Sequence, residues 1–166
     1  FTAQSKKTLS QSGAMPVTLV IADIDFFKRI NDNYGHDIGD QVICLFAGAL
    51  KNYFKDASLV ARLGGEEFVV LLKNTTADQA LSKVEYFRHT ILPSSFRLEN
   101  FQVELSASFG LSDSHSIADS DLGELMKKAD LALYEAKNSG RNCSKIYAQQ
   151  HSVSLFYQPA HSNQSN

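Results

Sequence analysis

Two acidic stretches and three cations stand out among the 166 residues. Asp23-Ile24-Asp25 closes an apolar run, and Glu66-Glu67 follows Gly64-Gly65 at the entry to another. Carboxylates at the mouth of a buried strand need a partner, because an uncompensated charge is costly away from water. If the two segments lie on neighbouring strands, Asp23 and a glutamate face each other across one strand spacing, roughly 5 Å. Two carboxylates that close must share a proton or a cation. Oxygen ligands of this kind suit Mg2+, normally held by one or two carboxylates plus substrate phosphates. Lys28, Lys137 and Arg141 bring positive charge near the same edge. Acids that hold a divalent cation beside several cations describe a nucleoside triphosphate site, where charge shifting between phosphates is neutralised.

Each feature also has an ordinary explanation. Leu59-Val60-Ala61 and Phe68-Val69-Val70-Leu71-Leu72, joined at Gly64-Gly65, read as a tight β-hairpin whose two acids are solvated. The same Gly-Gly turn would let a bulky anion approach the backbone. Lys137 and Arg141 fall at the end of a helix, where the dipole alone favours cations. Lys28 is compatible with a solvated helix lysine. The sequence has no G-x-x-x-x-G-K-[ST] and no G-x-G-x-x-G after a strand, so a P-loop or dinucleotide fingerprint is excluded.

The elements that must position these residues follow from periodicity. Val17 to Ile24 is an apolar, β-branched run, the pattern of a central strand covered on both faces. Phe26, Phe27, Ile30 and Tyr34 have helical spacing, with Gly35 as the expected cap. Val42, Leu45, Phe46, Ala49, Leu50 and Tyr53 form the stripe of a second helix, in which Cys44 is expected to be a small core residue. Thr76-Ala77-Asp78-Gln79 has the capping-box form and starts a helix through Ala80, Leu81, Val84, Phe87 and Ile91 that Pro93 is expected to stop. Gln102 to Gly110 alternates as a half-covered strand. Asp121 caps a regular helix over Leu122, Leu125, Met126, Ala129, Ala132, Leu133 and Ala136, which Gly140 ends, and Cys143 to Tyr147 is a last short strand. The order β-α-α-β-β-α-β-α-β predicts an α/β (α+β) domain, a ferredoxin-like mixed sheet with helices packed on it.

Residues 1–15 read as a polar stub or helix remnant, 16–148 as the domain, and 149–166 as a polar tail. The histidines at 115, 151 and 161 show no metal-ligand spacing. At 43% hydrophobic and 20% charged the chain is in the globular class, and a net charge of −2 argues against a nucleic-acid partner. Two scattered cysteines and the lack of an 18-residue apolar run point to a reducing, cytoplasmic setting for the domain. The chain starts at Phe1 without Met and reads as a piece of something longer, in which an upstream sensor or an inner-membrane anchor has room.

Four segments in order resemble the GGDEF domain of diguanylate cyclases: Asp23-Ile24-Asp25-Phe26-Phe27-Lys28; Ile30 to His36 with Gly39-Asp40; Gly64-Gly65-Glu66-Glu67-Phe68 in the GGEEF form; and Ala129 to Lys137 with Gly140-Arg141-Asn142. The resemblance spans residues 16–147. It implies a fold like the palm of nucleotide cyclases and polymerases, with about five strands. It also implies conversion of two GTP to cyclic di-GMP and two pyrophosphates, one GTP on each of two facing copies, the 3′-hydroxyl of one attacking the α-phosphate of the other. By position, Asp23, Glu66 and the Ile24 carbonyl would bind Mg2+ or Mn2+, two per GTP. Asn31 and Asp40 would read guanine. Lys28, Lys137 and Arg141 would meet phosphates, with Lys28 stabilising the transition state. Gly64 and Gly65 would let GTP lie against the backbone, and Phe27 and His36 would line or support the pocket. Glu66 or Glu67 would be the base, and the sequence does not choose between them.

Two departures qualify the resemblance. The family's R-x-x-D product-inhibition site falls here on Lys55-Asp56-Ala57-Ser58, so both Lys55 and Ser58 replace the expected residues and inhibition by product is expected to be weak. The D-x-LTGL-x-NR stretch that usually opens the family is missing. Other readings are a non-catalytic GGDEF module that binds GTP or cyclic di-GMP, which the intact acids disfavour, and a nucleotide-binding domain of different phosphoryl chemistry.

Overall fold

The computed structural model describes residues 15–95, 104–114 and 121–148. The expected stub and tail lie outside the described residues, as do the histidines at 115, 151 and 161. Strand β1 (Val17–Ile24) is buried along its whole length. It is the middle of a five-stranded sheet of order β2-β3-β1-β4-β5, with β2 Leu59–Gly64, β3 Glu67–Lys73, β4 Ala107–Asp113 and β5 Ser144–Ile146. All neighbours are antiparallel except β4 and β5. The first four strands have the ferredoxin-like order, and β5 adds one edge.

Alternation along β1 sends its side chains to two cores. Val20, Ala22 and Ile24 pack with Phe46, Leu50, Val84 and Phe87. These come from α2 (His36–Tyr53), α3 (Ala77–Tyr86) and the π-helical turn Phe87–Ile91 that continues α3. Val17, Leu19 and Ile21 pack with Leu125, Ala129 and Leu133. Two apolar layers, rather than one, are what a strand buried on both faces requires. Helix α1 (Phe27–Tyr34) joins α2 through Gly35, whose φ of 85° explains the glycine.

Several expectations change. The strand expected over Gln102 to Gly110 is β4 at Ala107–Asp113, and it is buried on both faces rather than half-covered. Its polar members are small. Ser112 donates to the Leu125 carbonyl at 2.7 Å, and a Cβ on Gly110 would collide with the backbone of Ala129 and Leu133. Small residues therefore admit the last helix, α5 (Leu122–Asn138), against the strand. Pro93 does not stop the third helix: the π-helical turn leads into α4 (Leu92–Ser95). Pro93 sits where the wider π-helical ladder passes into α4, and the backbone stays helical through Ser95. Thr76 and Gln79 do form the capping box, whereas Asp121 makes no side-chain cap. Cys44 is exposed, not core; Ile43 beside it is buried instead. The hairpin pairs Gly64 with Glu67, so Gly65 and Glu66 occupy the turn. A register shift between Arg62 and Gly64 moves it by one residue, and Arg62 Nε holds the Gly65 carbonyl at 2.8 Å.

Candidate active site

The β1–β3 register sets Asp23 directly opposite Glu67. Residues opposite one another in an antiparallel pair share a face, here the face that α5 covers. Glu66 sits in the turn, and its carbonyl accepts the Ile24 N–H at 3.4 Å. Asp23, 5% exposed, accepts a hydrogen bond from Lys137 Nζ at 2.7 Å. Lys137 is there because α5 runs along the odd face of β1, so its last turn arrives beside the strand's last odd residue. Burial holds the Asp23 carboxyl above its ordinary value of 3.8. Lys137 opposes that shift, and the charges of Glu66 and Glu67 add to it.

A second group gathers at the α1–α2 junction. Asn31 lies over Gly39: a Cβ there would overlap Asn31 Oδ1 and crowd Phe27. The contact brings Asn31 next to the residue that precedes Asp40, whose side chain is exposed. Phe27 is half-buried, while Lys28 and His36 are exposed. Among the described residues Lys28 has no ion-pair partner. Among the described residues Arg141 forms no ion pair with Asp23; its guanidinium lies over the Phe26 ring, 4.7 Å from the centroid. Arg29 approaches the same ring at 5.5 Å. Lys55 is exposed and Ser58 donates its amide to Leu71. Leu71 is four residues along β3 from Glu67, about 13 Å by strand rise, so Lys55 and Ser58 are apart from the acids.

The sequence left open whether Asp25 shares a face with Asp23 or is parted from it where the chain leaves the strand; the structure gives it separate partners. Asp25 leaves β1 and faces a different group. Its buried carboxylate accepts from Ser108 Oγ at 2.7 Å, Ser106 Oγ at 2.9 Å and the Asn142 amide at 2.9 Å. The left-handed Phe26, φ 55°, marks the point where the chain turns away. Ser106 and Ser108, alternating where β4 begins, were the one signal available in the sequence.

The acids offer only hard oxygen donors, which fits Mg2+ or Mn2+ in kind. Among the described residues no group of three or more His, Cys, Asp or Glu is arranged as a metal cage. The fit is to a cation that completes its shell with substrate oxygens, the usual habit of Mg2+.

A mixed sheet of this order, with acids at one strand end and cations arriving from flanking helices, defines a palm-like nucleotide-handling domain. The family model for "Diguanylate cyclase, GGDEF domain" matches residues 1–143. A diguanylate cyclase of Vibrio cholerae is 38% identical over 134 residues, covering 81% of this chain and 41% of that protein. The chain thus spans less than half of that relative's length. The solved active GGEEF domain of a V. cholerae diguanylate cyclase superposes with a TM-score of 0.77 at 33% identity, covering 89% of this chain and 91% of that one. The coiled coil and GGDEF domain of DgcB from Caulobacter crescentus, in complex with c-di-GMP, gives 0.76 at 27% identity, covering 88% and 78%. The chain belongs to the GGDEF diguanylate cyclase family. Among the described residues no helix is long and apolar enough to cross a membrane.

Proposed function

We propose that this chain condenses two GTP into cyclic di-GMP and two pyrophosphates, each of two facing copies holding one GTP. The observation that carries the reading is the placement of Asp23 opposite Glu67, beside Glu66 and within reach of Lys137. The charges of Glu66 and Glu67 raise the proton affinity of Asp23, and a bound cation would offset that repulsion.

Asp23, Glu66 and the Ile24 carbonyl would hold Mg2+ or Mn2+, two ions per GTP. The bound metal would polarise the α-phosphate and make the 3′-hydroxyl more acidic. Lys137 exchanges Asp23 for phosphate oxygens when nucleotide arrives, which releases the carboxylate. Lys28, on the first turn of α1 and without an ion-pair partner among the described residues, stabilises the charge that develops in transfer. Asn31 and Asp40 read guanine: Asp40 accepts from the base's N–H donors, and Asn31 both donates and accepts. Gly64 and Gly65 leave the backbone open to the nucleotide, and Phe27 and His36 line the base side. Arg141, over the Phe26 ring, meets phosphate as well. Glu66 or Glu67 takes the 3′-hydroxyl proton. In the whole protein an upstream sensor domain would bring two copies together, with the domain on the cytoplasmic side.

Replacing Glu66 and Glu67 together with Ala tests the assignment. The variant keeps its fold, because it relieves like charge around Asp23, and makes no cyclic di-GMP. Turnover at the wild-type rate would overturn the reading.

A further inference from the structure

Arg88, on the π-helical turn, reaches a turn that it adjoins only in space. Its side chain is 8% exposed. Nε and one terminal nitrogen pair with the two Glu85 oxygens at 3.1 and 2.7 Å. The other terminal nitrogen donates to the Asn142 backbone carbonyl at 2.6 Å and to Asn142 Oδ1 at 2.9 Å. From the other side, Asp25 takes the Asn142 amide. Asn142 is thus held through its N–H, its carbonyl and its side chain.

The backbone there needs holding. Gly140, Arg141 and Asn142 have φ of 105°, 64° and 45°. Three successive left-handed residues, two of them not glycine, persist only where the surroundings over-determine them. Arg141 is the middle one, and the direction of its side chain toward Phe26 follows from this conformation.

We propose that Arg88 is a positioning residue of the nucleotide site: its fork locks the Asn142 turn, and the turn aims Arg141. Arg88 touches no substrate. The inference rests on the reading of Arg141 as a phosphate ligand. Glu85 pre-orients the fork, so that one planar group spans the third helix and the chain that follows the last one.

The test is a double-mutant cycle in the full chain. Arg88→Lys keeps a charge but loses the planar fork. Affinity for a non-hydrolysable GTP analogue with Mg2+ is measured by calorimetry for wild type, Arg88→Lys, Arg141→Ala and the pair, with kcat and KM for GTP alongside. Arg88→Lys should weaken binding about tenfold when Arg141 is present and less than about twofold when it is Ala. The loss should fall on KM more than on kcat, and the Asn142 amide should exchange with solvent faster. Arg88→Gln, a second variant, should follow the same pattern. Equal losses in both Arg141 backgrounds, or no loss in the first, would overturn the positioning role. Unchanged affinity in Arg141→Ala would instead overturn the phosphate reading beneath it.

Discussion

Lys137 and Asp23 meet at 2.7 Å, one at the end of α5 and the other at the end of β1. The pair joins the two features that define the site, a carboxylate buried among other acids and a cation delivered by the regular helix. Lys137 does not fully offset the cost of burying the Asp23 charge, since the carboxyl remains shifted upward.

That shift has a sign that can be tested. Asp23 holds its proton more tightly folded than unfolded, so the stability it contributes is full below its unfolded pKa and is lost as pH rises through its folded value. Asp23→Asn should therefore melt higher than wild type at neutral pH in metal-free buffer. The gap should close as pH falls below about 4. The same variant should lose at least about a hundredfold in turnover, the trade of stability for function expected at a site of mutually repelling acids. Thermal melts across pH check the first part; a variant less stable than wild type at pH 7 would count against it.

Gly39 makes room for Asn31, the residue proposed to read guanine. Gly39→Ala forces the Asn31 amide aside and presses more lightly on Phe27 at the margin of the core. KM for GTP should rise about tenfold, with kcat altered far less, because one pair of base hydrogen bonds is misdirected. Steady-state kinetics reads this, and a change confined to kcat would contradict the placement of Asn31 on the base.

Much of this arrangement was legible in the sequence, for physical reasons. Val17 to Ile24 is apolar but for Thr18 and Asp23, so a central strand suits it, and the acids near its end must lie where the strand leaves the sheet. The Thr76 cap was readable because both of its hydrogen bonds are local. What failed was context. Ser108, Gly110 and Ser112 alternate with apolar residues as a solvent-facing set would, yet they face α5, because small side chains serve close packing as well as solvation. The hairpin turn moved from Gly64-Gly65 to Gly65-Glu66 because a bulge has no signature apart from the glycines themselves. Where Asp25 would turn was open in the sequence, because its partners, Ser106, Ser108 and Asn142, are at least 81 residues away in the chain. Arg88 carried no signal at all, since a helix arginine beside a glutamate is ordinary until Asn142 is folded against it.

Product inhibition should be weak. Lys55 offers a point charge where a planar fork would grip guanine and phosphate, and Ser58 supplies no carboxylate. Turnover measured with added cyclic di-GMP should give the same weak inhibition for wild type and Lys55→Ala. Tight inhibition that Lys55→Ala abolishes would show that this segment still binds product.

The central claim is that the acids and cations around Asp23 make cyclic di-GMP from GTP when two copies meet. The direct measurement is chromatographic detection of cyclic di-GMP and pyrophosphate after the chain is incubated with GTP and Mg2+ over a range of protein concentrations. The account predicts both products, at a rate that rises more steeply than linearly with protein. GTP bound by a dimerised chain, with no cyclic di-GMP formed, would contradict it.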